Sequence, residues 1–86
     1  MTKLEEVREA LKEIITDTMS PQNIRKGAQE ISKLIEDTEI SLEHRKSRAT
    51  DLLEEMIGDQ NMDTSTRTTL MTLTSLIESL NSGSDK

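Results

Sequence analysis

The chain has no cysteine, phenylalanine, tyrosine or tryptophan, one proline (Pro21), one histidine (His44) and three glycines. The absence of cysteine excludes a disulfide framework, a thiolate zinc site and a thiol nucleophile. With no aromatic ring and 31% hydrophobic residues, a core has to be assembled from Leu, Ile, Met, Val and Ala alone. No apolar run exceeds two residues, as in Ile14-Ile15, so neither a membrane-spanning helix nor the apolar region of a secretory signal is expected. The expected location is the cytoplasm. Eighty-six residues suit one small domain with a thin core, to which a second copy would add buried area; self-association as a homodimer is therefore an expectation.

What the chain does have is charge. Seventeen Asp and Glu against eleven Lys and Arg give a formal charge of −6, which opposes attraction to nucleic acid or an anionic membrane, since binding a phosphate backbone draws on clustered cations. The local exceptions are Arg25 and Lys26, then the run HRKSR with Arg45, Lys46 and Arg48. These five are the candidate contacts for an anion or a partner.

Four amphipathic stretches follow one another. Leu4, Val7, Leu11 and Ile14 recur at spacings of 3, 4 and 3, one stripe of a helix, and Thr2 with Glu5 has the spacing of a capping box. Ile24, Ala28, Ile31 and Ile35 make the second stripe. Leu42, Ala49, Leu52, Leu53, Met56 and Ile57 make the third, with Arg45 and Lys46 standing where an apolar residue is due. Leu70, Leu73, Ile77 and Leu80 make the fourth, within a threonine-rich stretch, TSTRTTLMTLT, that is poor in helix formers. Its leucine spacing still predicts a helix, one that depends on packing; a strand over 64–74 is the rival. The reading is all-α: a four-helix up-and-down bundle with helices at about 2–17, 20–36, 41–57 and 63–81, one domain over 1–81, and a polar tail without regular structure at 82–86.

The helix starts repeat. Asp17, Asp37 and Asp59 each precede an arginine, Arg25, Arg45 and Arg67, by eight residues. Ser20, Ser41 and Asp63 are read as N-caps, whose oxygens accept from otherwise unpaired amides of the first turn. Pro21 is placed at the first helical position, which needs no N–H, and Met19 with Ile24 as the apolar pair flanking that start. Each arginine falls beside the C-terminal carbonyls of the preceding helix, where five donors on a cation can bond them. All three are therefore predicted to staple their corners. The arginines recur after 20 and 22 residues, one helix and one turn, so successive corners lie at opposite ends of a bundle rather than along a solenoid of helix pairs.

With SPQNIRKGAQ, in which a Pro-x-Asn-Ile/Val-Arg element precedes small residues, and with the arginine-bearing starts EHRKSRA and STRTT, the chain from about residue 4 to 80 resembles an archaeal family of small helical proteins, uncharacterised protein family 0147. The resemblance implies a four-helix domain in an archaeal cytoplasm and carries no activity with it. The threonine-rich last helix departs from the family pattern.

No catalytic constellation emerges. His44 stands in a charged first turn, without the Glu-x-x-His spacing of bundle metal sites, because position 41 is serine. Adjacent carboxylates, Glu5-Glu6 and Glu54-Glu55, splay by about 100° on a helix and do not face one substrate. Gly27, Gly58 and Gly83 are isolated and form no phosphate loop; Gly27 is read as permitting close helix approach and Gly58 as the residue ending the third helix. No cofactor and no metal is expected. The expected function is a non-enzymatic helical interaction module that binds an unidentified protein or a second copy; the second reading is a nucleic-acid or ribonucleoprotein accessory using the five basic residues.

Overall fold

The computed structural model describes residues 2–60 and 62–80. The helices are α1 (Lys3–Thr16), α2 (Gln22–Glu36), α3 (Leu42–Ile57) and α4 (Thr64–Glu78). Residues 64–74 are helical, so the strand rival is gone. The polar tail at 82–86 and position 81, where the fourth helix was expected to end, lie outside the described residues.

Each helix packs on its neighbours in sequence and α1 closes against α4, while the diagonal pairs stay apart. This is the square, antiparallel arrangement that short corners impose. Its core takes the predicted stripes of α1, α2 and α4 almost residue for residue and half of the third: Val7, Leu11 and Ile14 from α1, Ile24, Ala28, Ile31 and Ile35 from α2, Ala49, Leu53 and Met56 from α3, and Leu70, Leu73 and Ile77 from α4, with Met62 and Leu80 at the ends. Leu42, Leu52 and Ile57 are only partly buried. Gly27 on α2 leaves room for the Met56 side chain of α3. A Cβ built there would lie 2.7 Å from Met56 Sδ, well inside van der Waals contact. Gly58 is the C-cap of α3, in the right-handed region at φ −71°, ψ −8°, so that end needs no left-handed glycine.

The capping box of α1 is complete: Thr2 accepts from the Glu5 amide, and the Glu5 carboxylate from the Thr2 amide at 3.2 Å. α4 is held differently. Three of its threonines have back-bonds or burial: Thr69 and Thr74 donate to the carbonyls four residues earlier, Ser65 and Leu70, at 3.1 and 2.9 Å, and Thr66 is buried beside the cap. Back-bonding satisfies the hydroxyl but does nothing for helix propensity, so Leu70, Leu73 and Ile77, all 0% exposed, hold α4 in place. Thr68 and Thr72 are exposed and contribute only their poor propensity. Replacing both by alanine is expected to raise stability by about 0.5 kcal/mol each, read as a higher urea midpoint with an unchanged slope.

Candidate functional site

The corners share one backbone plan. The aspartate amide donates to the carbonyl three residues earlier, and the residue three after it donates back to the aspartate carbonyl: Asp17 and Ser20, Asp37 and Ile40, Asp59 and Met62, at 3.1 to 3.4 Å. In this register Ser20 is equivalent to Ile40 and Met62, and Pro21 to the caps Ser41 and Asp63. That corrects the reading of the first corner by one residue. Pro21 itself is the N-cap of α2, at ψ 147° and with no side-chain cap bond, and Ser20 caps nothing. It is buried, with its hydroxyl donating to the Asp17 carboxylate at 3.2 Å. Met19, read as half of an apolar staple, is 89% exposed, since in this plan the inward position belongs to the next residue. Counting four residues from each aspartate, rather than looking for the nearest serine, finds the cap in all three. At the other two corners Ser41 accepts from the amide of His44 and Asp63 from that of Thr66, both at 3.3 Å.

The three arginines diverge. Arg45 Nε donates to the Ile40 carbonyl at 2.9 Å and Nη1 to the Ile35 carbonyl at 2.7 Å, bonding both the loop and the last turn of α2. Arg67 Nη2 donates to the Asp59 carbonyl at 3.1 Å. Arg25 departs from the staple expectation, for its Nε is buried without a partner among the described residues. At that corner the loop carboxylate is bonded by the Ser20 hydroxyl, a donor that Ile40 and Met62 cannot supply at the equivalent place. Asn23 of the Pro-x-Asn element does something that spacing within one helix could not reveal. Its Nδ2 donates across to the Asp59 carboxylate at 3.2 Å, joining the first corner to the third.

Of the five basic candidates, then, two are committed to the fold. Arg45 holds the end of α2, and Lys46 Nζ donates to the Leu80 carbonyl at 2.6 Å, the negative end of α4. Lys26 and Arg48 are exposed and Arg25 half-buried. They do not converge: Arg25 and Lys26 stand in the first turns of α2 and Arg48 in the second turn of α3, toward opposite ends of an antiparallel pair. His44 is exposed, and no group of three or more His, Asp or Glu able to hold a metal occurs among the described residues. No helix is long and apolar enough to cross a membrane, again among the described residues.

An open groove of about 570 Å³ lies between α2 and α3. Leu34, Ile40 and Leu52 form its floor, each only partly buried although packed near or against the core. Glu30, Lys33 and Asp37 line one side and Arg48, Asp51 and Glu55 the other. The apolar floor arises because Leu34 and Leu52 sit one position before the buried Ile35 and Leu53, at the outer edges of two faces that meet. This site was not legible from single helices, since it exists only once two stripes are packed side by side.

A single ion pair is found among the described residues: the Arg8 guanidinium bonds the Glu36 carboxylate, with Nη2 at 3.0 Å from Oε2, tying α1 to the end of α2. That hydrogen bond, before the charge itself, holds Glu36 below the ordinary carboxyl value of 4.5, and the Thr2 amide does the same for Glu5. Lowered folded values mean stabilisation that is present above about pH 4.5 and lost as pH falls through the folded value. Both side chains of the pair are about half exposed, at 50% and 48%, so the effect is small. Arg8→Gln is expected to lower the thermal midpoint slightly at pH 7, and the gap from the parent should close by pH 3.

The model of the Uncharacterised protein family (UPF0147) matches residues 1–80. A UPF0147 protein of Archaeoglobus fulgidus is 42% identical over 76 residues, covering 87% of this chain and 85% of the relative. One from Sulfurisphaera tokodaii is 34% identical over 70 residues, covering 81% and 79%; both sources are archaeal. Among solved structures, a protein from uncharacterized family UPF0147 from Thermoplasma acidophilum superposes with a TM-score of 0.88 at 33% identity, over 92% of this chain and 93% of that one.

Proposed function

The chain belongs to the family UPF0147, and on that premise we propose that it works as a non-enzymatic helical interaction module in the cytoplasm, with the α2–α3 groove as its contact face. The observation that carries this reading is the groove's composition. Three aliphatic side chains are left partly in water between two charged walls, the pattern of a recognition groove with an apolar centre and a polar rim. Glu30, Lys33, Arg48, Asp51 and Glu55 form no ion pair or side-chain hydrogen bond among the described residues, so they are free to meet charges on a partner.

A ribonucleoprotein accessory role has less behind it, because Arg45 and Lys46 already bond carbonyls of the fold and the remaining cations are dispersed. The test is photo-crosslinking in the native cell, with a photo-reactive side chain in place of Asp51 on the rim or of Thr72 on the outer face of α4. The expected result is one discrete protein adduct from position 51 and none from position 72. A nucleic-acid adduct, or no adduct at position 51, would overturn the proposal.

A further inference from the structure

We infer that the occupant of the α2–α3 groove is a single amphipathic helix of another protein, apolar along one stripe and basic on both sides of it. This deepens the function proposed above and rests on that reading of the groove. Size comes first. The walls run from residue 30 to 37 on α2 and from 48 to 55 on α3, seven steps of 1.5 Å each, so roughly 10 Å, or two helical turns. A strip of that length accepts one helix through side chains at i, i+3 or i+4, and i+7. At about one helix diameter in width its area is on the order of 100 Å², far smaller than the ~800 Å² per partner that a stable dimer of two folded domains buries.

Charge comes second. Glu30, Asp37, Asp51 and Glu55 outnumber Lys33 and Arg48 on the rim, and the whole chain carries −6. A second copy docked on the groove brings an acidic rim onto an acidic rim in a molecule already of that sign, whereas lysines or arginines flanking an apolar stripe meet the carboxylates of Glu30, Asp51 and Glu55, which have no partner among the described residues. Glu30 and Glu55 stand together at one mouth of the groove, because α2 and α3 are antiparallel. The basic residues of the ligand are therefore expected to be concentrated at the end of its helix that lies there.

The experiment uses the whole chain and two synthetic helices of about fourteen residues, near the shortest length at which helix forms in water. One carries leucines at i, i+3, i+4 and i+7 flanked by lysines, and the other has glutamates in place of the lysines. Resonance shifts of the chain are followed as each is added. The Leu/Lys helix should shift Leu34, Ile40 and Leu52, and the Leu/Glu helix should bind at least tenfold more weakly. The triple variant Glu30→Gln, Asp51→Asn, Glu55→Gln should weaken the Leu/Lys helix at least fivefold. Glu6→Gln, Glu9→Gln, Glu13→Gln on α1 makes the same change in net charge and should leave binding within twofold. All six residues are exposed, so both variants are expected to retain the fold.

Equal binding of the two helices, shifts on another face, equal weakening by the α1 triple, or no binding at all would each overturn the inference. So would sedimentation showing a dimer that the groove triple abolishes, which would make the occupant a second copy. An adduct at position 51 persisting alongside any of these results would preserve the interaction reading and remove only the basic helix.

Discussion

Leu73→Ala is expected to cost about 3–4 kcal/mol of stability, in the upper part of the range for buried leucines, and to lower the thermal midpoint by roughly 15–30 °C. Two features put it there. Leu73 is 0% exposed and belongs to α4, whose threonines give the helix little stability of its own, so core contact is what keeps it helical. The cavity is also hard to close. The surrounding core contains five isoleucines and a valine (Ile14, Ile24, Ile31, Ile35, Ile77 and Val7), and β-branched side chains have few rotamers with which to fill a void. Against a total stability of about 4–13 kcal/mol for a chain of this length, the variant approaches unfolding at room temperature. Met71→Ala, two residues away and 56% exposed, is the control and should change stability by less than about 0.5 kcal/mol. Urea unfolding followed by circular dichroism measures both. A loss under about 1 kcal/mol at position 73 would show that α4 does not depend on its leucines.

Arg45→Met should lose about 2–3 kcal/mol, with no change in the core. Methionine preserves the aliphatic stem but neither of the bonds to the Ile35 and Ile40 carbonyls, each a charge-assisted contact to a group that has no intrahelical partner. Arg45→Lys offers one cationic centre instead of a fork and should recover about half the loss. Arg48→Met, one turn along on the exposed face, should stay within about 0.5 kcal/mol. If Arg45→Met and Arg48→Met behaved alike, the arginine that interrupts the third stripe would be a surface residue and not a staple.

How far the sequence alone reaches can be seen from these same residues. The stripes of α1 to α4 were legible because helical period is a local property, and each predicted helix end falls within three residues of the described one. Arg45 was legible as a corner residue because its targets precede it in the chain by five and ten positions. Ser20 was misplaced since a serine beside a proline satisfies the local rules for a cap, while the register that excludes it is visible only by aligning three corners. Lys46 with Leu80, 34 residues apart, and Asn23 with Asp59, 36 apart, could not be read at all. Both follow from which helix ends the bundle brings together. The same holds for the groove, whose floor residues Leu34 and Leu52 look like ordinary members of two amphipathic helices until α2 lies beside α3.

The cations are unevenly shared between the two ends of the bundle. Where α2 and α4 terminate, Arg45, Lys46 and Arg8 bond Ile35, Ile40, Leu80 and Glu36. At the opposite end, among the described residues, only Arg67 reaches a corner carbonyl, and Arg25 Nε is buried without a partner. Such a molecule should breathe from one side. Amide protons in the last turn of α1 and the first of α2 should exchange with deuterium before those at the start of α3, and a protease should first nick the loop around Met19.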